Sequence, residues 1–205
     1  MNRWDERYAG EAFLFGTAPN AFLAAQRHRL PPAGTALAVA DGEGRNGVWL
    51  AEQGLDVLAV DASATGLAKS RRLADSRGVT LHHEQADLAQ WDFGTERFDV
   101  IAAIFVQFAD PVLRQRMFEG ICSALRPGGV LLLEGYRPEQ LGYGTGGPSD
   151  LANLYTETLL RDAFATLQIE HLASYDIEIH EGSGHEGMSA LIDLVARKPQ
   201  RCIGP

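Results

Sequence analysis

The run T-A-L-A-V-A-D-G-E-G-R-N-G-V-W-L-A-E-Q-G-L-D-V-L-A-V-D, from Thr35 to Asp61, decides the fold. Thr35 to Ala40 is a short apolar run suited to a strand buried on both faces, and Gly42 and Gly44 break it at once. Asn46 has the side chain to cap a helix whose apolar positions Val48, Leu50 and Ala51 give way to Gly54. A second β run follows, Leu55 to Val60, and Asp61 closes it. Strand, glycine loop, helix, strand and acid make half of a doubly wound sheet, whose ligand crevice lies at the carboxyl ends of the strands.

Glycines let backbone pass close under a ligand, and a helix start offers free N–H groups to an anionic one. A carboxylate at Asp61 can accept both hydroxyls of a ribose, so this site wants an adenosine. Two cofactors fit. Gly42, Gly44 and Gly47 spell G-x-G-x-x-G, the nicotinamide-dinucleotide fingerprint, with Asp61 at about its expected spacing. The same geometry serves S-adenosyl-L-methionine, where the loop lies against an amino-acid tail and no pyrophosphate is present. The choice falls to the rest of the chain.

With 205 residues the chain is expected to form one domain, residues 1–205, with 1–33 capping a core over 34–198. A net charge of −9 gives no electrostatic reason to approach nucleic acid or anionic membranes, so neither is expected as a partner. Cys122 and Cys202 stand far apart in no metal or redox spacing; two free thiols and no metal site are expected. The start M-N-R-W-D-E-R-Y has no apolar signal core and no later run is long enough to span a bilayer, from which a cytoplasmic location is expected.

Working outward, Met1 to Leu30 is dense in rings: Trp4, Tyr8, Phe13, Phe15 and Phe22. Thr17 is read as the cap of a helix through Phe22, Leu23 and Gln26 that Pro31-Pro32 end. Trp4 and Tyr8 either pack on the sheet or roof the cofactor, where ring faces would attract a sulfonium. Ser63 starts a helix reaching Gly78, and Val79 to Glu84 reads as a third strand ending near Asp87. Asp87 and the Leu88 N–H can address adenine, or Asp87 can cap a turn. F-D-V-I-A-A-I from Phe98 is a fourth strand whose end, Phe105 to Phe108, enters the crevice. Pro111 begins a helix closed by L-R-P-G-G, and Val130 to Glu134 is a buried fifth strand. Tyr136 to Asp150 reads as a loop and substrate lid, Leu154 to Phe164 as an amphipathic helix. Ile169 to His180 and Met188 to Ala196 form an antiparallel hairpin across E-G-S-G-H-E-G.

Taken together, the glycine loop, Asp61, Asp87, F-D-V-I, L-R-P-G-G and the terminal hairpin resemble the class I S-adenosylmethionine-dependent methyltransferases over essentially the whole chain. The segments W-D-E-R-Y, F-G-T-A-P-N-A-F-L and G-E-G-R-N are similar to the bacterial small-molecule branch that includes tellurite-resistance and thiopurine-methyltransferase-like proteins. The resemblance implies an α/β doubly wound, Rossmann-like seven-stranded sheet of order 3-2-1-4-5-7-6. It implies transfer of a methyl group to a small-molecule acceptor such as a thiol, an oxyanion or a chalcogen, with S-adenosyl-L-homocysteine as product. It places cofactor contacts at Trp4, Tyr8, Ala40, Asp41, Gly42, Gly44, Arg45, Asn46, Asp61, Ala62, Asp87, Leu88, Phe105 and Val106. One departure stands out. Family loops read acid-x-G-x-G-x-G, whereas Ala38 and Ala40 occupy the places of the first acid and first glycine. Ala40 is tolerable if its φ is negative, and Asp41 or Glu43 can replace the acid. Arg45 either holds the carboxylate of the methionine tail or is a surface helix arginine.

A sulfonium is an activated methyl donor, so positioning alone can carry much of the rate and no catalytic triad is expected. His185, Tyr143 and Arg137 are the weak catalytic candidates, with His180 and Glu186 as further bases on the hairpin. Two competitors are a nicotinamide oxidoreductase and a regulatory module that binds S-adenosylmethionine without turnover. The first lacks the tyrosine four residues before a lysine that a short-chain dehydrogenase needs: Tyr136 is followed by Arg-Pro-Glu-Gln and Tyr155 by Thr-Glu-Thr-Leu.

Overall fold

The computed structural model describes residues 3–201; Cys202 and the first two residues lie outside the described residues. In chain order the elements are α1 (Arg3–Arg7), α2 (Ala21–Ala25), β1 (Thr35–Val39), α3 (Arg45–Glu52), β2 (Asp56–Asp61), α4 (Ala64–Arg77), β3 (His82–Gln85) and β4 (Phe98–Ile104). Then come α5 (Pro111–Ala124), β5 (Leu125–Tyr136), α6 (Gln140–Tyr143), α7 (Glu157–Ala163), β6 (Gln168–His180) and β7 (Glu186–Arg197). The seven strands form one sheet in the order β3-β2-β1-β4-β5-β7-β6, as the resemblance implied. Strands β1 to β5 pair in parallel; β7 runs antiparallel to both β5 and β6.

The apolar runs of the central strands bury both faces because alternate residues point to opposite sides. Leu37, Val39, Ile101, Ala103, Leu131 and Leu133 face α5 and α7, meeting Met117, Phe118, Ile121, Leu160 and Phe164. Ala36, Ala38, Val100, Ala102, Val130 and Leu132 face the other layer, where Phe22, Leu23 and Leu50 cover them. Each fully buried leucine of this kind contributes roughly 1.5–3 kcal/mol. The order of pairing reverses between β1 and β4, and the crevice at their carboxyl ends is where ligands of such sheets bind.

Several boundaries depart from the sequence reading. The cap of α2 is Asn20, not Thr17: the Asn20 side chain accepts from the Leu23 N–H, and a 3-10 turn, Gln26–Arg29, completes the segment. The cap position of α3 is Gly44, and Asn46 lies inside its first turn. The Asn46 Oδ1 is used elsewhere, accepting from the Asn20 N–H at 3.0 Å. Helix α7 is shorter than expected because Thr156, not Leu154, caps it; Leu154 and Tyr155 are buried instead. The stretch after Tyr136 is not loop throughout, for α6 and a 3-10 turn at Leu151–Asn153 interrupt it. Gln140 anchors it, accepting from the Ala190 N–H at 2.8 Å and donating to Thr145 Oγ1 at 3.0 Å.

Ala40 has φ of +50°, against the expectation that an alanine there would need a negative value. A Cβ in the left-handed region costs roughly 1–2 kcal/mol. The Ala40→Gly variant is therefore expected to gain about 0.5–1 kcal/mol after the added freedom of its unfolded chain is deducted. A higher urea midpoint at unchanged m-value is the readout; a lower midpoint would mean the methyl's packing outweighs the strain.

Candidate functional site

The glycine loop after β1 is built by its neighbours. Gly42 has φ of +57°, and a Cβ there would lie 2.6 Å from the Tyr8 hydroxyl; Gly44 has φ of +94°, and a Cβ there would run into the Ser70 side chain. These glycines are required by close packing under α1 and α4. Neither of them lines the cavity described below.

Acids fix the loop and the segment above it. Asp61 Oδ2 accepts from the Gly42 N–H at 2.8 Å and Oδ1 from the Ser63 N–H at 2.7 Å. Burial pushes the Asp61 carboxyl above its usual range, opposed by those two N–H donors. Glu43 is committed to structure: it pairs with Lys69 at 2.7 Å and accepts from the Leu14 N–H at 2.8 Å. It does not replace the missing acid, because its carboxylate is buried away from the cavity. Asp5 accepts from Ser63 Oγ at 2.6 Å and the Thr65 N–H at 3.2 Å, which holds α1 over the start of α4. At the hairpin, Gly184 N–H donates to Leu14 O at 3.0 Å and Ala21 N–H to Glu181 Oε1 at 3.0 Å. The N-terminal segment and the β6–β7 turn thus close over the carboxyl ends of the strands.

Under this roof lies a cavity of about 380 Å³. Trp4, Tyr8, Ala40, Asp41, Arg45, Asn46, Asp61, Ala62, Asp87, Leu88 and Phe105 line it, so the structure brings together eleven of the fourteen residues expected to contact the cofactor. Val106 does not belong: Phe105 takes φ of +54°, which turns the next side chain into the core. Asp87 also caps its own turn, accepting from the Ala89 N–H at 2.9 Å. Arg45 is no surface arginine; it is buried and pairs with Glu181 at 2.7 Å.

Asp41 sits at the start of α3. Its Oδ1 accepts from the Gly47 N–H at 3.0 Å, while Oδ2 is buried with no hydrogen-bond partner. Burial, reinforced by Asp61 and opposed by the Gly47 N–H and Arg45, pushes its carboxyl up to about 7. Oδ2 is covered, lying where a Cβ on Gly47 would stand, and the carboxylate as a whole borders the cavity, where it suits a cationic group better than an anionic one.

A second cavity of about 360 Å³ adjoins the first and shares its wall of Trp4, Phe15, Phe105, Phe108 and His185. The His185 ring lies 4.4 Å from the centroids of both Phe15 and Phe105. Its Nδ1 is 3.8 Å from Glu181 Oε2, within ion-pair range and beyond a hydrogen bond. Burial holds the His185 pKa below the usual imidazole value, against the pull of Glu181. Burial would raise Glu181, but His185 and Arg45 beside it hold its carboxyl at about 2.

The other catalytic candidates are elsewhere. Arg137 is held outside both cavities by Asp176, by Glu139 at 3.2 Å and by Leu191 O at 3.0 Å. Tyr143 is 39% exposed at the end of α6 and lines neither cavity. His180 and Glu186 pair with one another at 2.8 Å in the outer hairpin. Among the described residues no group of three or more His, Cys, Asp or Glu could hold a metal ion, and no helix is long and apolar enough to cross a membrane.

Phe108 lines the first cavity, as the reading of Phe105 to Phe108 expected, whereas sequence reasoning missed Arg3, Ile104 and Leu113 and did not assign Phe15 there. It also missed a buried polar cluster joining the N-terminal segment to the last strands. Asn20 donates to Glu134 and, at 3.1 Å, to Glu181; Glu134 and Asp193, buried side by side on β5 and β7, are both raised by burial.

Residues 36–129 match the family model described as "Methyltransferase domain". An uncharacterized protein of Mycobacterium tuberculosis is 32% identical over 96 residues, which take in 46% of this chain and 34% of that protein. The chain thus spans about a third of the length of the relatives it matches. Among solved structures, a protein from work on conversion of a disulfide bond into a thioacetal group during echinomycin biosynthesis superposes with a TM-score of 0.74 at 22% identity, covering 97% of this chain and 92% of the other. TehB from Haemophilus influenzae gives 0.72 at 15% identity, covering 95% and 65%. Magnesium protoporphyrin IX methyltransferase from Synechocystis, solved with bound S-adenosylhomocysteine, gives 0.64 at 18%, covering 87% and 78%. The fold is that of the class I S-adenosylmethionine-dependent methyltransferases.

Proposed function

We propose that this chain, whose residues 36–129 match the methyltransferase domain family, transfers a methyl group from S-adenosylmethionine to a small-molecule acceptor. The observation that carries this reading is Asp41. A pyrophosphate at the start of α3 would meet the carboxylate of Asp41, which lines the cavity, whereas the ammonium of a methionine tail would be attracted to it. This weighs against a nicotinamide dinucleotide. Asp41 and Arg45 would hold the tail, Asp61 the ribose hydroxyls, and Asp87 with Leu88 the adenine. The faces of Trp4 and Phe105 suit a sulfonium beside them.

S-adenosylmethionine supplies a methyl group already activated on sulfur. The protein's share is placement and exclusion of water. The ring wall between the two cavities provides both, with an acceptor entering from the second cavity. His185, neutral because it is buried, keeps a proton on Nδ1 facing Glu181 and leaves Nε2 to accept one from the acceptor. A sulfur or chalcogen acceptor is favoured, since it ionises readily and asks little of this histidine.

Thermal unfolding in parallel titrations of S-adenosylmethionine, S-adenosylhomocysteine and NADH tests the reading. The two sulfur compounds are expected to raise the midpoint, since each binds only the folded chain. A rise with NADH alone would overturn the proposal. Binding of the sulfur compounds with no methyl transfer to any thiol, oxyanion or phenol tried would leave the regulatory module in its place.

A further inference from the structure

The second cavity has a chemistry of its own. Beyond the shared ring wall its lining includes Arg3, Arg7, Gln107, Tyr136 and Asn153. The Arg7 guanidinium lies 4.7 Å from the Trp4 ring centroid and 5.8 Å from that of Phe15. Arg45, Arg126, Arg137 and Arg197 all pair with carboxylates. Among the described residues no carboxylate lies in ion-pair range of Arg3 or Arg7, although acids outnumber bases in this chain, 27 to 18. Asp150, the carboxylate on the rim, is engaged at the 3-10 turn, accepting from the Ala152 N–H at 2.9 Å.

Gln107 and Tyr136 in this lining are buried. The Tyr136 hydroxyl and Asn153 Oδ1 are buried with no hydrogen-bond partner among the described residues. Gln107 is fully committed, donating to Tyr136 O at 2.9 Å and Asn153 O at 3.0 Å and accepting from the Tyr136 N–H. The cavity's size is that of a small-molecule site, too small for a folded partner.

We infer that this cavity binds the methyl acceptor, and that the acceptor is a planar aromatic acid whose carboxylate pairs with Arg7 and Arg3 while its ring lies among Phe15, Phe105 and Phe108. The inference rests on the methyltransferase reading for the word acceptor; the preference for an aromatic carboxylate rests on the cavity alone. A guanidinium stacked on an indole presents its N–H edge outward, the geometry that receives a carboxylate in two hydrogen bonds. The Tyr136 and Asn153 side chains bound the space left to the ring. The nucleophile then lies against His185, on the wall that separates the two cavities.

The test is calorimetric binding of 2-mercaptobenzoate and of its uncharged analogue 2-mercaptobenzamide to the full chain, each with and without saturating S-adenosylhomocysteine. The carboxylate is expected to bind roughly tenfold tighter, the scale of one charge-assisted hydrogen bond, and the preference should shrink as salt rises. In the Arg7→Glu variant the preference should vanish or reverse. That side chain is exposed, so the variant should fold, with an unchanged urea midpoint as the check. Equal affinity for the two probes, a preference that survives Arg7→Glu, or no binding of either would overturn the inference. S-adenosylhomocysteine binding to the wild-type chain reports separately on the first cavity. Its absence alongside a retained carboxylate preference would sink the methyltransferase reading and leave an aromatic-acid site standing.

Discussion

The Asp61→Ala variant is expected to bind S-adenosylhomocysteine at least roughly a hundredfold more weakly than the wild type and to lose about 2–4 kcal/mol of stability. Both losses have one origin. Asp61 is the only acceptor shown for two buried N–H groups, Gly42 at 2.8 Å and Ser63 at 2.7 Å. Alanine orphans both at about 1–3 kcal/mol each, reduced where cavity water reaches them. The loop that Gly42 anchors also loses its register against β2, and the ribose hydroxyls lose their acceptor. Asp61→Asn separates the two effects. One oxygen remains to accept from one N–H, while the amide faces the other donor, so part of the stability returns and little of the affinity. Isothermal titration and urea unfolding of both variants give the readouts, with Arg137→Ala as the control outside the cavities. Wild-type affinity in the alanine variant would remove Asp61 from the cofactor site.

How much of this was legible in the sequence follows from the range of each interaction. Thr35 to Asp61 could be read because its signals are local: apolar strand, glycine break, helix, strand and acid. The terminal hairpin was legible in its two β runs and the glycine-rich turn between them, the strand order through resemblance, and the structure has both. The cap of α2 was not. Thr17 and Asn20 are both capping residues, and Asn20 prevails because Asn46, Glu134 and Glu181 bind it from three distant elements. Phe15 reaches the cavity from a segment that no periodicity places. Arg137 and Tyr143 looked functional because they follow β5, but β6 and β7 extend beyond that point and offer Asp176 to Arg137. His185 was one of several polar residues in a turn. It reaches the site because Gly184 is tied to Leu14, so the turn folds inward over the N-terminal segment.

Asp41→Asn is expected to raise stability at pH 8 and to weaken the site at the same time. The sign follows from the shift: the folded-state pKa of Asp41 is pushed up to about 7 from 3.8, so the folded chain favours the protonated acid. Its contribution is fully present below about pH 4 and is lost as pH rises through 7, leaving an ionised buried carboxylate whose penalty is on the order of 4 kcal/mol. Asparagine carries no charge and keeps an oxygen for the Gly47 N–H, but it puts an unpartnered amide where Oδ2 stood, at a cost of about 1–3 kcal/mol. The variant should therefore be more stable than the wild type by about 1–2 kcal/mol at pH 8 and less stable by a similar amount at pH 5. Urea midpoints at the two values check the crossing. Affinity should move the other way. A bound ammonium favours the ionised acid, so wild-type binding of S-adenosylhomocysteine should strengthen between pH 5.5 and 8 with release of a proton, by up to roughly tenfold per unit below 7. The variant should bind roughly 10–100-fold more weakly at pH 8 and without that slope. A wild-type affinity flat across this range, or a variant that keeps the slope, would place the amino group away from Asp41. The empty site is destabilised by the same carboxylate that a cationic tail satisfies, which is why Asp41 costs the folded chain most where it serves the ligand best.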